Sequence, residues 1–141
     1  LINMDGKLQQ GSAGWFEMVG QSMCEAALQA RLAPDLNLTF VERYTDGTDL
    51  PGDRVQGIRF DIIDGRPSFR MGVCRDEPGD ITIEITAAAA RTLNLLHSGN
   101  PDYRTALEGS LSSGSMRVYG DARRLGTWLE TVHDSIVERT T

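Results

Sequence analysis

The chain has 141 residues, a length that suits one domain and buries roughly 70% of the surface exposed by the unfolded form. It is 40% hydrophobic and 24% charged, near the globular average, which excludes a wholly disordered chain, a collagen and a coiled coil. A net charge of −6 with Lys7 as the sole lysine excludes a nucleic-acid binder, which needs basic residues to displace counterions.

Residues 1–12 read as an N-terminal tail, without the basic start and apolar run of a signal peptide. A single domain is expected over 13–141. No apolar run approaches the ~18 residues of a membrane span, so stable membrane insertion is not expected and a cytoplasmic location is. Cys24 and Cys74 are too few for a disulfide framework and form no C-x-x-C pair. They read as small hydrophobes in a reducing compartment.

The first helix is expected from Ala13 to Leu32. Trp15, Val19, Met23, Ala26, Ala27 and Ala30 recur at helical spacing, Ser12 is its cap, and Ala33-Pro34-Asp35 ends it. Leu38 to Thr45 reads as a strand and Asp46 to Asp53 as a loop. In the strand Val55 to Ile63, Ile58, Phe60 and Ile62 point one way and Arg59 and Asp61 the other. Asp64-Gly65 is a hairpin turn. It leads to a returning strand, Pro67 to Val73, with Phe69, Met71 and Val73 on one face. Asp80 to Thr86 alternates strictly and places three isoleucines on one face. Thr86 then caps an alanine-rich helix, Ala87 to His97. Pro101 opens a short helix carrying Tyr103, Ala106 and Leu107. Gly109 to Gly114 reads as loose and Ser115 to Tyr119 as a fifth strand. A last helix, capped by Asp121, runs to about Val137. Strands in a block with helices gathered elsewhere imply an α+β fold, a mostly antiparallel five-stranded sheet covered by helices.

The chemistry-bearing residues are sparse. His97 and His133 lack a second metal ligand at helical spacing, and no metal or cofactor is expected. Gly109 to Gly114 is not followed by a phosphate cradle. Cys74 beside Arg75 has no histidine nearby in sequence. Asp61, Asp64 and Glu84 read as solvated carboxylates on the polar side of their strands. The apolar supply is larger: one sheet face and the helices above it can either fill a core or leave a slot for a small molecule.

The order of four short motifs resembles the sterol carrier protein 2 family, the non-specific lipid-transfer proteins. They are Ile58-Arg59-Phe60-Asp61-Ile62-Ile63-Asp64-Gly65, Asp80 to Thr86, Leu95-Leu96-His97-Ser98-Gly99-Asn100-Pro101-Asp102-Tyr103 with Ala106, and Ser113 to Asp121. The resemblance covers roughly residues 55–137. The stretch Asp46 to Arg54 is an insert relative to the family pattern, and Ser115 and Arg117 stand where the family often carries lysines. The resemblance implies a five-stranded sheet under helices, with a hydrophobic tunnel that binds fatty acyl chains, sterols or similar lipids without chemistry.

The expected lining is Phe60, Ile62, Phe69, Met71, Ile83, Leu93, Leu96, Met116, Trp128 and Val132. A charged substitution at Met71 or Leu96 should then abolish binding. The alternative is a small cofactor-free isomerase, cyclase or hydratase using Asp61, Glu84, Tyr103, Tyr119 or His97. Its mark would be a buried carboxylate pointing into the cavity with a hydroxyl across from it. A third reading is an accessory subunit that docks a partner, or a second copy as a homodimer, through the Trp15-Phe16 helix.

Overall fold

Ser12 starts the first helix: its Oγ accepts the Trp15 N–H at 3.2 Å, and α1 runs Ala13–Gln29. The computed structural model describes residues 6–141; residues 1–5, the outer part of the expected tail, lie outside the described residues. The helix stops before Leu32 because Arg31 turns to φ +53°, which no α-helix continues. Leu8, assigned to the tail by sequence, is buried in the core. Its N–H donates to the Arg139 carbonyl at 2.8 Å, and its own carbonyl accepts from Thr141 at 2.8 Å.

The strands are β1 (Leu38–Tyr44), β2 (Asp49–Leu50), β3 (Arg54–Ile63), β4 (Arg66–Cys74), β5 (Ile81–Ile85) and β6 (Met116–Tyr119). Across the sheet the order is β4-β3-β1-β5-β6, with the short β2 pairing the start of β3. The β1–β5 pair is parallel and the others are antiparallel. The sixth strand, β2, lies inside the stretch expected as a loop. Asp64 and Gly65 sit at φ +49° and +74°, the left-handed geometry of a two-residue hairpin.

The helices α2 (Ala87–Asn94), α3 (Pro101–Ser113) and α4 (Trp128–Glu138) complete the fold. Thr86 caps α2 through the Ala89 N–H at 3.1 Å. Asn100 caps α3, with Pro101 in its first turn. The stretch expected as loose from Gly109 is helical as far as Ser113, and Gly114 ends it at φ +80°. The last helix is split. Asp121 caps a 3₁₀ turn, Ala122–Leu125, and Gly126 at φ +95° breaks the chain direction before α4 starts.

Helices cover one sheet face. Trp15 and Phe16 are 2% and 5% exposed within the main core, so the two aromatic side chains expected to mark a docking helix are turned inward. The Trp15 indole donates to Thr140 Oγ1 at 2.9 Å, tying α1 to the C-terminal residues just past α4. Gly20 lets α1 close on Phe69, because a Cβ there would come within 2.2 Å of the Phe69 ring.

A β-bulge between Val55 and Ile58 and a left-handed Gly72 re-aim β4. Val73 therefore leaves the face expected for it and joins Val41 and Val55 in a small cluster on the other side.

That second face carries paired charges. Glu77 accepts from Arg59 Nη1 at 3.0 Å, from Arg70 Nη2 at 2.7 Å and from the Cys74 N–H at 3.1 Å. Burial raises the Glu77 carboxyl, but these donors outweigh it and hold the group down to about 2. Its stabilising effect is present above the ordinary value near 4.5 and is lost as pH falls toward 2. Glu77→Gln is expected to cost on the order of 1–2 kcal/mol at pH 7, after solvent screening. Urea melts should show that cost shrinking by more than half at pH 3. An equal cost at both pH values would assign it to packing instead of charge.

Candidate functional site

The inner sheet face and its helices do not meet everywhere. Between them lies a cavity of about 520 Å³, within the size range of small-molecule sites. Phe40 and Glu42 of β1, Ile58 of β3, Ile83 and Ile85 of β5 and Met116 of β6 form the sheet wall. Opposite stand Trp15, Val19 and Met23 of α1, Ala90 and Leu93 of α2, Tyr103 and Leu107 of α3, and Leu129, Val132, His133 and Ile136 of α4. Arg123, Gly126, Thr127 and Glu130 lie along the α4 side.

Of the ten residues expected to line the slot, Ile83, Leu93, Met116 and Val132 are in this wall. The other six lie off it. Phe60 is 0% exposed and is covered by Trp128, whose ring centroid lies 5.7 Å away. Ile62 is buried farther along β3, opposite Leu38. Phe69 packs on Gly20 of α1. Met71 is 41% exposed and borders a second, smaller hollow of about 320 Å³ beside Leu50 and Gly72. Leu96 lies beyond the end of α2, where its carbonyl accepts the His133 Nε2–H at 2.8 Å. The strand pattern gives the facing of Phe60, Ile62 and Phe69 but not which side chain stands over each.

The wall has one feature that was not expected from the sequence. Leu38, Phe40, Glu42 and Tyr44 alternate along β1 toward the helices, since Leu38, Phe40 and Tyr44 belong to the main core. Glu42 is the acid in that otherwise apolar row. The period-two row was the available signal. Among the described residues nothing donates a hydrogen bond to its carboxyl. Burial pushes Glu42 up to about 7, because an apolar surrounding disfavours the charged form. The Tyr103 phenol is raised by burial, then by Asp134 and by Glu42, so it stays neutral and able to donate. Tyr103 also stacks on His133, with centroids 4.6 Å apart. Because the Leu96 carbonyl can only accept, the proton of a neutral His133 sits on Nε2 and Nδ1 is left as an acceptor.

The other candidate groups are elsewhere. Asp61 accepts from Arg59 Nε at 3.0 Å and from Thr39 Oγ1 at 2.8 Å on the far sheet face. Glu84 there pairs with Arg43 at 3.2 Å. Tyr119 and His97 are exposed, and His97 stands 3.7 Å from Glu138. Cys74 is exposed, and burial raises the partly covered Cys24. Among the described residues no cluster of His, Cys, Asp or Glu could hold a metal ion, and no helix is long and apolar enough to cross a membrane.

No family model matches the sequence, and no curated protein sequence matches it. Solved structures do. A crystal structure of sterol carrier protein 2 has a TM-score of 0.57, covering 93% of this chain and 99% of that one at 12% identity. A solution structure of a conserved hypothetical protein from Thermus thermophilus gives 0.52, covering 89% and 87% at 11% identity. The chain is thus an α+β domain with helices layered on one face of a mixed sheet. Its fold is the sterol carrier protein 2 fold, as the order of its motifs implies.

Proposed function

We propose that this chain is a carrier that takes one apolar ligand, such as a fatty acyl chain, a sterol or a similar lipid, into the cavity without changing it. The observation that supports this is the 520 Å³ apolar space between sheet and helices. Each CH₂ taken from water contributes about 0.8 kcal/mol. A chain of a dozen carbons then supplies roughly 10 kcal/mol, enough to offset much of the association entropy. Ile83, Leu93, Met116 and Val132 are proposed as direct ligand contacts. An acidic composition and an ion-paired outer face suit a carrier that diffuses in the cytoplasm.

The cofactor-free enzyme remains a second reading because Glu42 and Tyr103 share the cavity. General acid–base catalysis needs two groups within hydrogen-bond reach of one substrate. Asp61 and Glu84 are turned away and paired, which removes two of the groups that the enzyme reading called on.

The test uses diphenylhexatriene, an uncharged dye that fluoresces in apolar surroundings. Saturable enhancement at micromolar protein is expected. Ile83→Trp, which adds bulk to the cavity, should weaken it at least tenfold while circular dichroism stays unchanged. Met71→Asp, outside the cavity, should leave it intact. Loss with Met71→Asp and none with Ile83→Trp would move the site to the smaller hollow. No enhancement from dye or lipid would reject the carrier reading.

A further inference from the structure

Glu42 is an odd residue for a purely apolar container. It sits mid-strand in β1, opposite Ile58 on β3 and Ile83 on β5, and all three line the cavity. Glu42 is half-buried, faces the open space of the cavity and accepts no protein hydrogen bond among the described residues, so whatever fills that space must meet its carboxyl. We propose that Glu42 anchors the head of an uncharged, oxygen-bearing lipid, so that the cavity selects a keto-, ester- or hydroxyl-bearing chain over a fatty carboxylate. This rests on the carrier reading and names the ligand class for the same site.

The surrounding charges favour that class. From β1, Tyr44 lies two residues on, and its hydroxyl is engaged by the Gln10 amide. Tyr103 comes from α3, and His133 and Glu130 from α4. Arg123 comes from the 3₁₀ turn, already paired with Asp121 through Nε at 3.0 Å and Nη2 at 3.1 Å. What α1, α2, β3, β5 and β6 contribute to the wall is uncharged. A fatty carboxylate would meet Glu42 and Glu130, while the lining Arg123 already pairs with Asp121. An ammonium head would require two charges to be buried together, which the attraction between them need not repay. A neutral oxygen lets Glu42 remain a protonated acid and donate to it, with Tyr103 as a second donor. Since burial brings Glu42 to about 7, donation is available below that pH and fades above it.

The experiment displaces diphenylhexatriene with matched chains: heptadecane, 2-heptadecanone, hexadecanoate and hexadecylamine, each at pH 6 and pH 8. The ketone should bind more tightly than the alkane at pH 6 and lose about tenfold in affinity by pH 8. The alkane should be unaffected by pH, and hexadecanoate should be the weaker competitor at pH 8. Glu42→Gln should keep the ketone preference at both pH values, since the amide donates throughout. Glu42→Leu should lose the preference for the ketone over the alkane. A ketone preference that survives Glu42→Leu, or amine as the tightest ligand, overturns the anchor while leaving a carrier. Failure of every chain to displace or bind rejects the carrier itself.

Discussion

Phe60→Ala is expected to lower the unfolding free energy by about 3–5 kcal/mol, the range for emptying a fully buried phenylalanine site. The ring faces Phe40 of β1 and Phe69 of β4 in register and is covered by Trp128, so its loss opens a void among these three aromatic neighbours. A domain of this size holds about 5–15 kcal/mol in all, and the substitution removes a large share. Urea unfolding at pH 6 measures it. Phe60→Leu should cost much less, below about 1.5 kcal/mol, because most of the volume is kept. A cost under 1 kcal/mol for the alanine variant would mean that Trp128 relaxes into the space, and that the cavity beside it is deformable.

Raising the pH should weaken the fold through Glu42. Its carboxyl is raised in the folded chain, so below about 4.5 both folded and unfolded forms are protonated and the group makes no difference. Between about 4.5 and 7 the unfolded chain releases the proton first, and stability falls; above 7 the loss levels off. The full difference corresponds to about 3 kcal/mol. Glu42→Gln should abolish this fall, giving a variant more stable than the native chain at pH 8 and similar near pH 4. Denaturant midpoints across that range decide it. Parallel curves for both proteins would show that Glu42 is solvated or paired. Glu77 works in the opposite sense, losing its contribution toward acid, so the two groups together place the stability maximum between their titrations.

The sequence carries the topology well where local chemistry is decisive. Asp64-Gly65 defines the β3–β4 hairpin, and Ser12, Thr86 and Pro101 mark three helix starts. It fails where a single glycine changes direction. Gly72 and the bulge opposite it part Val73 from Met71, although both stand at even spacing. Gly126 splits the last helix, while Gly109 is absorbed into α3 despite its low helix propensity. Of the candidate cavity wall, four of the ten expected residues are present; facing follows from alternation, which is why Ile83 and Met116 are among them. The distance between layers does not, so Phe60 and Trp128 could not be seen to meet. Glu42 was legible in principle, as the acid in the inward row of β1.

The cavity wall draws on all four helices and on β1, β3, β5 and β6. No contiguous fragment reproduces it: a peptide spanning the β3–β4 hairpin would keep only Ile58 of the lining. The pocket cannot be excised and grafted as a motif can. A guest held there touches both halves of the chain and favours the complete fold over every partly unravelled form, so occupancy itself reports that the whole molecule has assembled.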